Sequence, residues 1–203
     1  CIRDRSTDAE TLLTMAGRNC YRSFHRPNPS TYEDEFYLRH TLFTRGHWSI
    51  SEHATATLYF TGVSRAFLTE LTRHRHLSFS VESQRFINSN NANIVAPPAM
   101  RNSQSLRDDL ELDAEGALDF YKYTAEQLLD AGLTRKQARE AARAFIPNCI
   151  ETRMVVTGNL RAWHEVIQRR TQPDADAEMQ EVMRLAGQEL HTVSPIIFPK
   201  ENN

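Results

Sequence analysis

The stretch from Arg73 to Phe86, RHRHLSFSVESQRF, packs three arginines, two histidines and three serines into fourteen residues. Arginine keeps its charge at any physiological pH, and its planar fork suits phosphate and carboxylate oxygens. Only Glu82 opposes that charge locally. Leu77, Phe79, Val81 and Phe86 interrupt the polar run, which argues against a fully solvated loop. If residues 79–85 are extended, Ser83 and Arg85 share a face beside Val81, and Glu82 points to the other. A hydroxyl next to a guanidinium is a reasonable clasp for phosphate. As a nucleophile Ser83 would need an activating base, so its role is that of a donor.

Three further constellations carry charge or metal-binding types. Arg135, Arg139 and Arg143 recur at every fourth position and stack along one side of a helix. Arg135 and Arg139 read as a surface stripe. Arg143, nearest Pro147 and the following strand, is expected to turn inward. Leu160, Trp163, Val166 and Ile167 form an apolar helix face whose next position is Arg170. A charge there either snorkels out at the helix end or meets an anion or carbonyl, because burying it alone is strongly unfavourable. In GHWSISEH, His47, Glu52 and His53 raise a metal reading, but the spacing fits no common zinc pattern, and no metal is expected.

These residues belong to a chain of 203 residues with a net charge of −2, which lowers the expectation of a nucleic-acid binder. Of its 24 basic residues only Lys122, Lys136 and Lys200 are lysines. A genomic codon bias would also favour arginine in the total, but it does not explain the clustering. Cys1, Cys20 and Cys149 form no CxxC pair, which favours a reducing, cytoplasmic setting. No apolar run reaches the length of a membrane span. There is no GxGxxG and no GxxxxGK, so any nucleotide phosphate must be held by side chains.

The elements that must position these groups read as follows. Helices fit 7–21 and 31–45, the second capped by Ser30 or Thr31. A strand fits 54–63, and Ser64 caps a helix leading into the basic motif. Residues 88–93 form a polar loop, and Pro97 and Pro98 forbid a central strand after it. A long helix spans 105–131 and ends at Gly132. A helix follows over 134–145, then a strand over 149–158, then helices over 159–171 and 174–192. The fold class is α/β, a single domain over residues 1–203. Its long helices carry more apolar surface than two short strands cover, which points to oligomerisation.

Arg73-His74-Arg75, seven residues and then Ser83 resemble the RHR-x7-S signature of flavin-dependent thymidylate synthase, the ThyX family. GHWSISEHAT, TGVSRAFLTELTRHRH, SQRF, RKQAREAARAFIPN and ETRMVVTGNLRAW are similar to that family's blocks, in family order, over roughly residues 10–197, most closely to actinobacterial members. The resemblance implies a central twisted sheet flanked by long helices in a homotetramer whose active sites are shared between subunits. It implies reductive methylation of dUMP to dTMP, with methylenetetrahydrofolate as carbon donor, NADPH as reductant and FAD as cofactor, and no nucleic-acid or membrane partner. Carried over, Glu70, Leu71, Thr72, Arg73, Val81, Glu82, Ser83, Gln84 and Arg85 line the dUMP site. Arg143 holds the nucleotide from another subunit, and Arg170 meets the uracil edge and favours its ionised form. His53, Thr55, Arg73, His74, Arg75, Val81, Asn159, Leu160, Arg161 and Glu165 face FAD. Ser83 and Arg170 are the implied catalytic pair. Val81 and Glu165 depart from the family's usual residues at those positions, and the first strand common in the family is absent ahead of Cys1. Two other classes compete: a non-catalytic nucleotide or RNA binder on the basic motif, and a metal-dependent hydrolase on His47 and His53.

Overall fold

Every strand of the frame is antiparallel to its neighbour. The computed structural model describes residues 8–200, and Cys1 lies outside the described residues. Strand β1 (Thr55–Ser64) pairs with β3 (Glu151–Asn159), which also pairs with β2 (Ser78–Val81), giving the order β1-β3-β2. Alternation along β3 buries Thr152, Met154, Val156 and Gly158 on one face, as a half-buried strand requires. The β1–β3 register runs from Thr55 opposite Asn159 to Ser64 opposite Glu151. It is broken between Phe60 and Val63 by a bulge, where Gly62 takes a positive φ of 69°.

Two helices spring from this ladder with no intervening loop. Helix α3 (Arg65–Leu71) begins where β1 ends, and the Ser64 hydroxyl accepts from the Phe67 amide, as expected of a cap. Ser64 also donates its amide (2.8 Å) and hydroxyl (2.6 Å) to the carboxylate of Glu178, a buried residue of the late helix Ala177–His191. Both oxygens of that buried acid are thereby satisfied. The helix Leu160–Arg170 starts at the end of β3, capped by Asn159, and turns Leu160, Trp163 and Val166 into the core. Trp163 donates its indole N–H to the Ala56 carbonyl at 3.1 Å. Leu13, Leu38, Leu42, Phe67, Leu71, Met179, Met183 and Leu190 complete that core.

A second packing unit lies apart from it. The helix α4 (Gln104–Asp130) buries Ala114, Leu118 and Tyr121, and α5 (Arg135–Ala142) buries Ala138 and Ala142. The capping box of Thr134 and Gln137 starts α5. Gly132, at φ 89°, takes the left-handed turn that ends the long helix. Numbering in chain order, α1 is Ala9–Cys20, α2 is Asp34–Arg39, α6 is Leu160–Arg170 and α7 is Ala177–His191.

Several expected boundaries move. The helix expected over 31–45 starts at Asp34 and ends in a wider turn, His40–Thr44. The buried Arg18 guanidinium collects the carbonyls of Thr31 (3.0 Å) and Tyr32 (3.2 Å), and that pins those residues outside the helix. Residues 174–176 precede α7, because Asp176 caps it with its carboxylate. Residues 143–145 form a 3-10 turn rather than the end of α5. The extended run expected over 79–85 stops at Val81. Glu82 makes the last bond to β3, donating its amide to the Arg153 carbonyl at 3.0 Å. Ser83–Ile87 then form a turn in which the Phe86 and Ile87 amides both donate to the Ser83 carbonyl.

Candidate active site

The residues singled out by sequence fall into three groups. The first surrounds an opening of about 550 Å³ lined by Arg65, Leu68, Thr69, Thr72, Val81, Glu82, Ser83, Gln84, Arg85 and Arg143. The turn after Glu82 brings Ser83, Gln84 and Arg85 to this opening together with Glu82, so Glu82 does not face away as an extended strand would have it. Three guanidiniums meet one carboxylate there. Arg85 has a partial partner in Glu140 at 3.7 Å. Arg65 and Arg143 form no ion pair among the described residues. Burial, and after it the Arg143 charge, pull Arg65 below the usual arginine range, with Glu82 acting the other way. Arg143 does not turn inward. It is exposed and lines the opening in the same chain as Ser83 and Arg85.

Arg65 and Thr69 were missed by the sequence reading. The signal was present: positions 65, 69 and 72 follow helical spacing, so one side of α3 presents Arg65, Thr69 and Thr72 to the opening.

The second group lies where the C-terminal ends of α3 and α6 meet. Arg170, whose side chain is 16% exposed, places Nη1 3.4 Å from Glu70 Oε2. Its Nη2 donates to the Glu70 carbonyl (3.4 Å) and its Nε to His74 Nε2 (2.8 Å). The charge on the core-facing stripe therefore does not snorkel; it finds a carbonyl, a carboxylate and an imidazole. Nε2 of His74 must be unprotonated to accept that bond, which puts the ring proton on Nδ1. Burial first, then Arg170, Arg169 and Arg73, hold His74 below its ordinary 6.5. Arg73 reaches Glu70 at 3.3 Å but is otherwise open, its side chain 70% exposed. Arg75 is exposed. Leu71 is wholly buried, so its side chain belongs to the core.

The third group sits at the other end of the β1–β3 ladder. Thr55 and Asn159 are register partners, and His53 closes the short helical turn before them. Arg161 donates to Glu52 (2.7 Å) and to Glu165 (2.9 Å), so its charge is matched twice over. The Leu160 side chain is in the core. His47 does not join His53 in a ligand set: among the described residues no three His, Cys, Asp or Glu side chains cluster as metal ligands.

A family model described as thymidylate synthase complementing protein matches residues 2–196. A probable flavin-dependent thymidylate synthase of Mycobacterium phage L5 is 49% identical over 198 residues, covering 93% of this chain and 79% of that one. The chain belongs to the flavin-dependent thymidylate synthase family. A second member of the family, from Mycobacteroides abscessus, is 44% identical over 96% of this chain and 82% of its own length. The fold agrees. A crystal structure of ThyX from Helicobacter pylori, with FAD and dUMP, superposes with a TM-score of 0.66 over 94% of this chain and 92% of that one, at 22% identity. This chain combines a small antiparallel sheet with long helices. Among the described residues no helix is long and apolar enough to cross a membrane.

Proposed function

We propose that this chain methylates dUMP reductively to dTMP, with FAD as bound cofactor and methylenetetrahydrofolate and NADPH as co-substrates. One observation carries the reading: the opening that gathers Ser83, Gln84, Arg85, Arg143 and Arg65 around a surplus of positive charge. The three guanidiniums outnumber Glu82 and the Glu140 carboxylate that partly pairs Arg85, and that positive surplus suits the phosphate of a nucleoside monophosphate. Ser83 donates its hydroxyl to a phosphate oxygen, and the arginines supply charge-assisted bonds.

Arg170 serves the other end of the nucleotide. Electron density builds on the uracil carbonyl and N3 as C5 becomes nucleophilic, and a fixed guanidinium stabilises that charge. In the resting arrangement the same guanidinium is held by Glu70 and His74, so its work on the pyrimidine begins with an exchange of partners.

The donor set fits a flavin dinucleotide. Arg73 and Arg75 are exposed and suit its pyrophosphate, beside His74 and Val81, while His53, Thr55, Asn159 and Arg161 offer a second set of contacts at the far end of the ladder, where Leu160 contributes only its backbone. Glu165 and Glu52 compete for Arg161, so that residue binds a phosphate only by giving up one of them. When bound, FAD supplies the hydride-transfer chemistry. No strand-turn glycine cradle is needed for this arrangement, because side chains replace it.

The phosphate group and the Arg170 group are distinct clusters in one chain. A homotetramer that joins the opening of one subunit to the α3–α6 junction of another unites them. Leu112, Phe120 and Tyr123, exposed on the outer side of α4, are apolar surface available for such packing. The reading is tested with dUMP tritiated at C5. Purified yellow protein is expected to release tritium to water only with NADPH and methylenetetrahydrofolate present. Colourless protein that releases none is incompatible with it.

A further inference from the structure

Beyond Glu82 the phosphate-facing turn has no ladder to hold it. Its internal closure is the pair of amide bonds from Phe86 (3.0 Å) and Ile87 (2.9 Å) to the Ser83 carbonyl. The remaining contacts come from α5, more than fifty residues away in sequence. Arg139 donates a guanidinium N–H to the Phe86 carbonyl. Glu140, next on the helix, lies 3.7 Å from Arg85. The exposed Phe86 ring is flanked by the Arg85 guanidinium at 5.7 Å and the Lys136 ammonium at 5.8 Å. The helix making these contacts is itself firmly seated. Its N-terminus is closed by the Thr134–Gln137 capping box, and Ala138 and Ala142 are fully buried. Arg143 directly follows it.

We propose that Arg139 is a positioning residue for the phosphate subsite, acting through the backbone of the Ser83–Ile87 turn. By holding the Phe86 carbonyl it sets where the Ser83 hydroxyl and the Arg85 guanidinium stand relative to Arg143. One helix thus places both walls of the clasp: Arg143 as its own extension, and Ser83 with Arg85 through Arg139. This separates Arg139 from Arg135, which shares the stripe but makes no contact with the turn among the described hydrogen bonds and ion pairs. The inference rests on the reading that the opening takes a 5′-phosphate.

The experiment compares dUMP with 2′-deoxyuridine, which has the same base and sugar and no phosphate, on flavin-loaded protein. Dissociation constants are measured by calorimetry for the unmodified chain, Arg139→Ala and Arg139→Lys. Arg139→Ala is expected to weaken dUMP roughly tenfold, the worth of one well-placed hydrogen bond to an ordered group. Deoxyuridine is expected to change by less than about twofold. In turnover the loss is expected in KM for dUMP, with kcat at saturation nearly kept, and the lysine variant is expected to recover most of it. A merely structural role would weaken both ligands together or lower kcat with KM. Either result, or dUMP binding unchanged in Arg139→Ala, overturns the proposal. If the alanine variant does not fold, Arg139→Met keeps the aliphatic stem and is read against the same outcomes. An unmodified protein that binds the two ligands equally would overturn the phosphate reading of the opening itself.

Discussion

The two arginine clusters of this chain solve opposite problems. Around the opening, Arg65 and Arg143 stand without an acid of their own, and Arg65 is pulled below the usual arginine range by burial and by Arg143. At the α3–α6 junction, Arg170 is fully engaged, by Glu70 and His74. Uncompensated charge is tolerable only where solvent or a ligand can reach it. Under the proposed function the first cluster receives its anion from outside. The second is built to be electrically quiet until a partner displaces its contacts.

Arg170→Ala tests the second half of this contrast most severely. It is expected to fold and keep FAD while kcat falls by about a hundredfold or more, corresponding to roughly 3 kcal/mol of lost transition-state stabilisation. Single-turnover flavin oxidation measures it, and a near-normal rate would take Arg170 out of the chemistry. For the first half, Arg143→Ala is expected to weaken dUMP by roughly ten- to a hundredfold, in line with a charge-assisted hydrogen bond of about 1.5–3 kcal/mol. Deoxyuridine binding serves as its control, and equal losses for both ligands would erase the assignment.

The third test reads the quiet cluster directly. His74 titrates below 6.5 in the folded chain because of burial and the neighbouring Arg170, Arg169 and Arg73 charges. A depressed pKa means the unfolded chain takes up the proton first. The associated stability is present above about 6.5 and is lost as pH falls through the folded value. Imidazole resonances in NMR are expected to show a midpoint below 6.5 that rises toward it in Arg170→Ala. A midpoint unchanged by that substitution would show that Arg170 does not act on the ring. The smallest effect belongs to Arg135→Ala, which touches neither cluster. Stability is expected to stay within about 0.5 kcal/mol, and dUMP binding is expected not to move.

Where the chain signals its own boundaries locally, the sequence was sufficient. Ser64, Thr134 and Gly132 each do a capping or terminating job within a few residues, and the elements they bound lie where expected. The turn at Ser83 was not legible, because what ends β2 is its pairing with β3 and the reach of Arg139, both distant in sequence. Arg65 escaped for a related reason. Helical spacing joins it to Thr69 and Thr72, but the residues that make that side of α3 a site come from the 81–85 segment and the end of α5, far away in sequence. Helix α2 starts late because Arg18, sixteen positions before Asp34, claims the preceding carbonyls. Arg170 was flagged by periodicity, but its partners Glu70 and His74 needed the fold.

Helices α3 and α6 leave the β1–β3 ladder without slack, so the Phe60–Val63 bulge governs their relative phase. Between Phe60 and Val63, β1 carries one residue more than β3, so removing one there would regularise the ladder with Ser64 still opposite Glu151 and relax the added local twist that aims α3. Glu70 would then shift relative to Arg170, and Arg65 relative to the opening, although no residue of either cluster had been altered.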